Sequence, residues 1–594
     1  MGDRILKLDP LVSSQIAAGE VIQRPASVVK ELIENSLDAG ARRVAIDFEE
    51  DGLALVRVSD DGSGIHPEDA LLAVERFATS KLHAAGDLSR ILTLGFRGEA
   101  LPSIASCSRL TLETRPENAV SGVSLCVEGG QVLRQTDKGL PVGTTVTVEN
   151  LFFNTPARLK FVKSRGSERQ AAVDVVLRLA LAWPGVSFAF RSGGNVVMRT
   201  AGQGLKNALA DVFGPADAAS MVPIGSTAGT TRVSGFVGLP SLYRRQRDRQ
   251  MFSVNSRPVR NAALGWALDD AFAGLLPPKS YAVAVFDIGA PAEEVDVNVH
   301  PTKAEVKLRA EKDLRAAVAD AVREALRKSG VVSLGAGSAP GPGGRWRYPT
   351  GAGDGAGRAQ DTSGTVNWGL VRELSGGELP SLPPGWEYMG PVLDTYLVAV
   401  TPSALLVIDK HALMESLTFR ALRSGEGGSQ DLLISEMIHL DPKEALLYEE
   451  SQAALEAVGF GSRLVGDRTV MVTRAPLIMG KPLVPGALKE VLARLSGDGD
   501  AGSRRGLRDG SQDGGEADAA KEARALEAAR IETAACHASV RAREPLSSEE
   551  ACALLRELYM HPEARMCPHG RPAVKEYPLS DLDKFFGRTS HTSP

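Results

Sequence analysis

Between Ser27 and Leu37 the apolar residues Val28, Leu32, Ile33 and Leu37 recur at helical spacing, and Gly40 follows as a stop. Arg43–Phe48 and Ala54–Val58 then alternate apolar and polar positions, as half-buried strands do, and close on an Asp60-Asp61-Gly62 turn. Such helix-like and strand-like patterns follow one another with few long breaks from Met1 to about Gly330, ending in a charged amphipathic helix predicted over Lys312–Lys328. From Gly335 to Gly376, Gly, Ser, Pro and Ala dominate and no apolar period recurs. A segment of that kind cannot bury enough surface to offset its ordering entropy, so a flexible linker is expected. Patterning resumes near Trp386, with strands predicted at Tyr396–Val400 and Leu405–Ile408. A second Gly/Asp-rich stretch, Ser496 to about Ala519, interrupts this last region as a surface insertion. There is no internal repeat.

Composition adds bounds. A chain of 594 residues is too long for one core, and roughly three or four domains are expected. No apolar run approaches the roughly 18 to 20 residues that span a bilayer, so no membrane partner is expected. Asp3, Arg4 and Lys7 precede no apolar stretch of a secretory signal. Five cysteines argue against a disulfide framework, and a cytoplasmic location is the default expectation. The net charge of −5 does not mark a nucleic-acid binder, so any DNA contact must come from local basic patches.

The string G-x-x-x-x-G-K-[ST] is absent, which excludes a P-loop ATPase. Four other segments stand out. Glu31 and Asn35 are four apart, on one face of the predicted helix. Asp60, Gly62 and Gly64 follow a strand; a short carboxylate there can accept from an exocyclic amine, and the glycines let backbone approach a flat base. Gly95, Phe96, Arg97, Gly98, Glu99, Ala100 and Leu101 offer backbone N–H groups and an arginine to phosphates, ahead of a helix predicted to start near Leu101. Gly143-Thr-Thr145-Val returns on a strand with hydroxyls available.

In this order the four segments resemble the gyrase, chaperone, histidine-kinase and MutL (GHKL) ATPase superfamily. Gln15-Ile-Ala-Ala-Gly-Glu-Val21, Arg24-Pro-Ala-Ser-Val28, Glu34-Asn-Ser-Leu-Asp-Ala-Gly40, Ala78-Thr-Ser-Lys81 and Asn154-Thr-Pro-Ala-Arg158 narrow the resemblance to the MutL family of DNA mismatch-repair proteins. The resemblance implies that Glu31 is the general base orienting the attacking water, that Asn35 binds Mg2+ through its amide oxygen, and that Asp60 selects ATP by its adenine amine. Thr79, Lys81 and Thr145 join the implied nucleotide site. Asp61 stands where the family more often has Asn, and matters little if its side chain faces away from the base. An inactive scaffold would be expected to lose Glu31 or Asn35, and both are present. A type II topoisomerase subunit would need a further acidic metal-binding domain, of which there is no pattern after Gly330.

Val295-Asp-Val-Asn-Val-His-Pro-Thr-Lys303 resembles the family's transducer domain, and that resemblance implies that Lys303 reaches the terminal phosphate. Arg244, Arg245, Arg247 and Arg249 form a basic run that either neutralises DNA phosphates or decorates a solvated turn; the family resemblance favours DNA.

In the C-terminal region, Asp409, His411 and Glu415 follow a predicted strand, with His411 and Glu415 spaced to share a helix face. Cys536, Cys567 and His569 add thiolate and imidazole ligands, a set suited to Zn2+ or Mn2+. The strings resemble those of endonuclease-type members of the family, with Asp409 and Glu415 as catalytic carboxylates. Lys410 and Arg420 depart from that pattern, each replacing an expected Gln or Glu. The alternative is a structural metal site in a domain that only dimerises. Gln430, Leu432 and Leu433 resemble a sliding-clamp-binding element, with Ser435 in place of Pro, or else form a plain buried strand.

The expected class is α+β: a GHKL (Bergerat) two-layer α/β sandwich over 1–205, a smaller α+β transducer over 206–330, a linker over 331–384, and an α/β dimerisation and endonuclease domain over 385–594 with an insertion at about 496–522. The resemblance implies an ATP-driven homodimeric clamp, recruited by the mismatch-recognition protein MutS, that nicks DNA; without the nuclease, it implies an ATP-switched matchmaker.

Overall fold

The computed structural model describes residues 21–81, 93–95, 98–277, 280–296, 307–308, 311–330, 382–392, 395–424, 428–478, 481–483, 486–495, 546–566 and 571–586. Phe96, Arg97, Lys303, Cys536, Cys567 and His569, together with the expected linker and insertion, lie outside the described residues. The described chain falls into two compact units, one of residues 1–332 with 428–534 and one of 333–427 with 535–594.

The first unit begins with helix α1, Pro25–Asp38. Proline at its first position is already set to helical φ and lacks only an N–H that would have no partner there. Gly40 ends it in the left-handed region, at φ 73°, and lets the Ala41 N–H turn back onto the Ser36 carbonyl. The predicted stripe of Val28, Leu32, Ile33 and Leu37 is buried.

That stripe lies on an eight-stranded sheet: β1 (Arg43–Glu49), β2 (Leu55–Asp60), β3 (Arg109–Arg115), β4 (Gly122–Glu128), β5 (Gln131–Lys138), β6 (Gly143–Glu149), β7 (Ser187–Ser192) and β8 (Asn195–Arg199). Their order is β5-β4-β3-β6-β2-β1-β7-β8, and only β1 and β7 run parallel. Val44, Ile46 and Phe48 of β1, Val56 and Val58 of β2, and Leu110 and Leu112 of β3 point to one face. There they meet α1, the short helix α2 (Ala100–Ser106) and the long helix α3 (Arg165–Ala182), giving the two layers expected. Fully burying each such aliphatic side chain contributes roughly 1.5–3 kcal/mol, so this face holds the layers together. The expected boundary at 205 falls at the start of helix α4 (Leu205–Phe213), whose Leu209, Val212 and Phe213 join this first core.

A second sheet follows, of β9 (Met221–Ala228), β10 (Thr231–Gly238), β11 (Gln250–Val254), β12 (Arg257–Val259) and β13 (Ala284–Gly289), ordered β12-β11-β13-β10-β9. Its apolar face, with Val233, Phe252, Phe286 and Ile288, is covered by α5 (Ala262–Ala271) and α6 (Glu311–Lys328). Residues 428–495 complete the unit: strands Ser429–His439, Gly461–Leu464 and Thr469–Ile478, helix α7 (Pro442–Ala457) and helix Ala487–Leu495. The sequence places this segment with the C-terminal domain, yet it is compact with the first unit.

In the second unit, strands Glu387–Val392, Tyr396–Val400, Ala404–Asp409 and Val574–Pro578 form an antiparallel sheet. Helices Lys410–Ser424 and Ser548–Met560 cover one face, packing Leu413, Leu417, Leu554 and Leu558 on Leu397, Leu406 and Ile408. Among the described residues no helix is long and apolar enough to cross a membrane.

Candidate functional site

Asp60 ends β2 with its side chain turned toward α1. Its Oδ2 accepts from Ser36 Oγ at 2.7 Å, and its Oδ1 accepts from the amides of Gly62 at 2.9 Å and Thr144 at 3.3 Å. Burial raises the Asp60 carboxyl above its ordinary range, and the three donors only partly counter it. Gly64 closes the turn at φ 71°, where a Cβ would sit 2.4 Å from the Arg115 carbonyl oxygen. This pocket requires glycine.

The neighbouring Asp61 points elsewhere. Its Oδ1 accepts from the Arg42 and Arg43 amides, both at 2.8 Å, and its Oδ2 pairs with Arg43 Nε at 2.8 Å. Its modest burial would raise the carboxyl, but the Arg43 and Arg42 donors hold it below the ordinary range. The side chain stitches β1 to the turn and faces away from the Ser36–Asp60 pair.

Thr145 was expected in the pocket. On β6 it pairs with Ser59, and their hydroxyls meet at 2.8 Å. Successive strand residues face opposite sides, so Thr145 and Ser59 lie across the sheet from Asp60. Thr144 takes the near position, and its hydroxyl meets Thr114 Oγ1 at 2.9 Å.

Next to Ser36 on α1, Asn35 Oδ1 accepts from Lys81 Nζ at 3.0 Å, and the same ammonium lies 2.6 Å from Asp38 Oδ2. Asp38 also accepts from the Leu94 and Gly95 amides, at 2.8 and 2.9 Å. Asn35 and Asp38 thus hold a cation and the start of the glycine-rich loop together. Gly98, at φ 62°, packs so closely that a Cβ would lie 2.6 Å from the Ala78 carbonyl oxygen, and Phe77 N–H donates to the Gly98 carbonyl at 3.0 Å. The Ala78–Lys81 string and the glycine-rich loop are thereby one structure, with Thr79 Oγ1 accepting from the Lys81 amide at 3.1 Å. Glu99 precedes α2, which starts at Ala100 and includes Leu101. Glu31 lies on the same helix as Asn35, with its carboxylate 3.5 Å from Lys30 Nζ and mostly buried.

Three residues of this site escape sequence reasoning. Ser36 and Asp38 lie inside a recognised string, but which way they point depends on how α1 is rolled against the sheet. Arg257, on β12, donates to the carbonyls of Thr93 at 2.8 Å and Leu94 at 3.1 Å, tying the second sheet to the loop.

Of the four expected DNA-binding arginines, Arg245 and Arg247 are exposed, Arg244 is half-buried and Arg249 is buried. Arg247 stacks over Tyr281 and pairs with Asp269. Arg249 donates to Asp217 at 2.7 Å and Asp441 at 2.8 Å.

In the second unit Asp409 caps the helix Lys410–Ser424: its Oδ1 accepts from the amides of His411 at 2.9 Å and Ala412 at 3.1 Å. His411 Nδ1 is buried without a hydrogen-bond partner among the described residues, and Glu415 is buried one turn on. Arg420 pairs with Glu563 at 3.0 Å. Ser416 Oγ donates to the Met566 carbonyl at 2.9 Å, and Asp409 N–H donates to the Ala573 carbonyl at 2.9 Å. Both flanks of the Cys567–His569 string are therefore anchored beside Asp409 and Glu415. Among the described residues no three His, Cys, Asp or Glu side chains group as a metal site.

Gln430 lies in strand Ser429–His439, whose pairing with Thr469–Ile478 breaks between Asp431 and Glu436. Leu432 is half-buried, whereas Leu433 and Ile434 are exposed on the bulge. The segment is not a plain buried strand.

Three family models match the chain: "Histidine kinase-, DNA gyrase B-, and HSP90-like ATPase" over 23–138, "DNA mismatch repair protein, C-terminal domain" over 209–327, and "MutL C terminal dimerisation domain" over 389–510. Among curated relatives, the DNA mismatch repair protein MutL of Symbiobacterium thermophilum is 37% identical and that of Desulforudis audaxviator 39%, each alignment covering 98% of this chain and 100% of the relative. Among solved structures, the Aquifex aeolicus MutL ATPase domain complexed with ADP is 28% identical, with a TM-score of 0.38, covering 50% of this chain and 98% of that one.

Proposed function

The chain belongs to the MutL family of DNA mismatch repair proteins, with that family's GHKL-type ATPase and C-terminal dimerisation domains, and on this premise we propose that it is an ATP-switched homodimeric clamp on DNA that also nicks it. The observation that supports the switch best is the pair of sites set by α1. Ser36 and the Gly62 and Thr144 amides aim the Asp60 carboxylate, and Asn35 Oδ1 faces a cation.

The residues fit the ligands the family implies. Asp60 accepts from the adenine amine, and guanine, which carries a carbonyl oxygen there, is refused. Hard oxygen donors at Asn35 suit magnesium, which when bound with ATP neutralises charge on the phosphates. Lys81 already holds its ammonium at Asn35 and serves the phosphates from that position. Glu31, on the same helix, orients a water and takes its proton. The terminal phosphate is the proposed partner of Lys303, on family membership alone.

The outer face of the second unit's sheet suits dimerisation. Met389, Val392, Tyr396 and Tyr577 expose apolar surface that a second copy would cover. Dimerisation there leaves the N-terminal domains free to close on DNA when ATP binds. The partnership with a mismatch-recognition protein of the MutS type rests on family membership alone. The exposed Leu433 and Ile434 favour docking on a sliding clamp.

Nicking is supported by the anchoring of Met566 and Ala573, which flank the Cys567–His569 string in the chain, on the His411–Glu415 helix and its preceding strand, and by a buried His411 nitrogen with no hydrogen-bond partner among the described residues. The set suits Zn2+ or Mn2+. Arg420, occupied by Glu563, favours the second reading, a matchmaker whose C-terminal domain only dimerises. Supercoiled plasmid separates the two. With manganese the full chain nicks it and Asp409→Asn, which keeps the helix cap, does not. Failure of the unaltered chain to nick with any divalent metal leaves the matchmaker.

A further inference from the structure

Arg249 is 3% exposed, and what buries it is a helix nearly two hundred residues away in sequence. Helix α7 begins with a capping box: Asp441 Oδ1 accepts from the Lys443 and Glu444 amides, and Glu444 Oε2 accepts from the Asp441 amide. Each carboxylate therefore uses one oxygen to close its own helix. The other oxygens face the arginines. Asp441 Oδ2 accepts from Arg249 at 2.8 Å, and Glu444 Oε1 accepts from Arg244 at 3.0 Å and lies 3.5 Å from Arg249.

The surroundings keep this pairing in place. Asp217 bridges Arg249 at 2.7 Å and Lys489 at 3.3 Å, and Asp248 lies 3.5 Å from Arg244, so three cations meet four carboxylates. Arg249 also lies over the Phe213 ring, 4.8 Å from its centroid. Beyond the network Lys443 pairs with Asp174, and Arg169 pairs with Glu450 at 3.0 Å. Arg468 donates to the Asp211 and Val212 carbonyls at the end of α4, where a helix favours a cation. Leu446 of α7 is 1% exposed and belongs to the same core as Phe213, Met221 and Met251. Burial opposes charge on Arg249 and Asp441 alike, yet each holds the other ionised. Such a pair is stable only while both partners remain.

We propose that the Arg244–Arg249 surface has two alternating occupants, the acid-capped start of α7 within this chain and the phosphates of DNA. A pair of fixed carboxylate oxygens meets guanidinium groups much as two phosphates would, so the helix competes with DNA for the same donors. The proposal rests on the reading of this surface as DNA-binding. Arg245 and Arg247 lie outside the network and remain exposed, able to make first contact with DNA before α7 leaves.

Two measurements on the full chain decide it. A zero-length carbodiimide joins Lys443 to Asp174 as an amide only while α7 is docked, and peptide mass spectrometry counts the product. The expected result is a strong link in the free protein that duplex DNA in excess suppresses. Affinity for a plain duplex, titrated against salt, is then compared for the unaltered chain and for Asp441→Asn/Glu444→Gln, with Leu446→Ser as a second route to release. In the released variants α7 no longer competes, so they bind the duplex about tenfold or more tightly at a given salt concentration, with the salt slope of the unaltered chain kept. Absence of the link in the free protein overturns the docking. A link that DNA leaves intact, or an affinity unchanged on release, overturns the competition. Arg245→Glu/Arg247→Glu tests the DNA reading separately: if it binds duplex as well as the unaltered chain does, that reading fails whether or not α7 is docked.

Discussion

The Arg257 guanidinium donates to the Thr93 carbonyl oxygen at 2.8 Å, so a side chain of the second sheet holds the backbone of the first domain's glycine-rich loop. Its other terminal nitrogen takes the Leu94 carbonyl at 3.1 Å. Asp38 holds the same residues from the opposite side, through the Leu94 and Gly95 amides. The loop start is clamped between a residue of α1 and one of β12, and a movement of the second sheet is passed directly to the start of the glycine-rich loop.

Arg257→Ala removes two hydrogen bonds from a charged donor, each worth about 1.5–3 kcal/mol, and leaves two carbonyls without their donor. We expect ATP affinity to fall by roughly tenfold or more, measured by calorimetry on the full chain. Arg257→Lys does not restore it, because a single ammonium cannot fork across both carbonyls. Unchanged affinity in both variants would show that the clamp does not position the loop for nucleotide.

Asp61→Asn has a different expected outcome. The side chain binds the Arg42 and Arg43 amides and faces away from Asp60, and an amide oxygen can accept from those N–H groups as the carboxylate does. The lost pair with Arg43 is mostly exposed and worth at most about 1 kcal/mol. ATP affinity should stay within about twofold of the unaltered chain by the same measure, with a small loss of thermal stability. A large loss of affinity would place Asp61 in the pocket.

Asp60 carries a pH signature. Its carboxyl is raised by burial, and the ionised form is the stronger acceptor for the adenine amine proposed to bind it. Protonation turns one oxygen into a donor and weakens the other as an acceptor, so affinity is full above the raised value and falls as pH drops through it. The fall therefore begins at a higher pH than an ordinary aspartate would give. Titration of ATP affinity from neutral to acid should show this, and Asp60→Ala should bind weakly at every pH with that step gone. A profile that is the same in both proteins assigns the step to another group.

The parts of the site that rest on spacing were legible in the sequence. Glu31 and Asn35 share a helix face because they are four apart, and the D-x-G-x-G turn allows little besides a glycine-shaped pocket. What depends on orientation was not. Strand parity sends Thr145 to the far face and Thr144 to the near one, a one-residue distinction that the string G-T-T-V does not make. Ser36 and Asp38 gain their roles from the roll of α1. The fate of Arg249 depends on Asp441 and Glu444, which are remote in sequence and belong to a segment that composition places with the C-terminal domain. The Gln430–Ser435 string left strand and docking element open, and the register break that exposes Leu433 decides only against the buried strand.

The central claim is that α1 carries an ATP-hydrolysing site, with Glu31 as its base and Asn35 and Asp60 as binding residues. Single-turnover hydrolysis and equilibrium binding of ATP with magnesium, measured side by side on the full chain and on Glu31→Ala, test it most directly. The account predicts that Glu31→Ala binds ATP about as well as the unaltered chain but hydrolyses it at least about 100-fold more slowly, the share a positioned base supplies. Hydrolysis by Glu31→Ala at the unaltered rate, or no ATP binding by the unaltered chain, would contradict it.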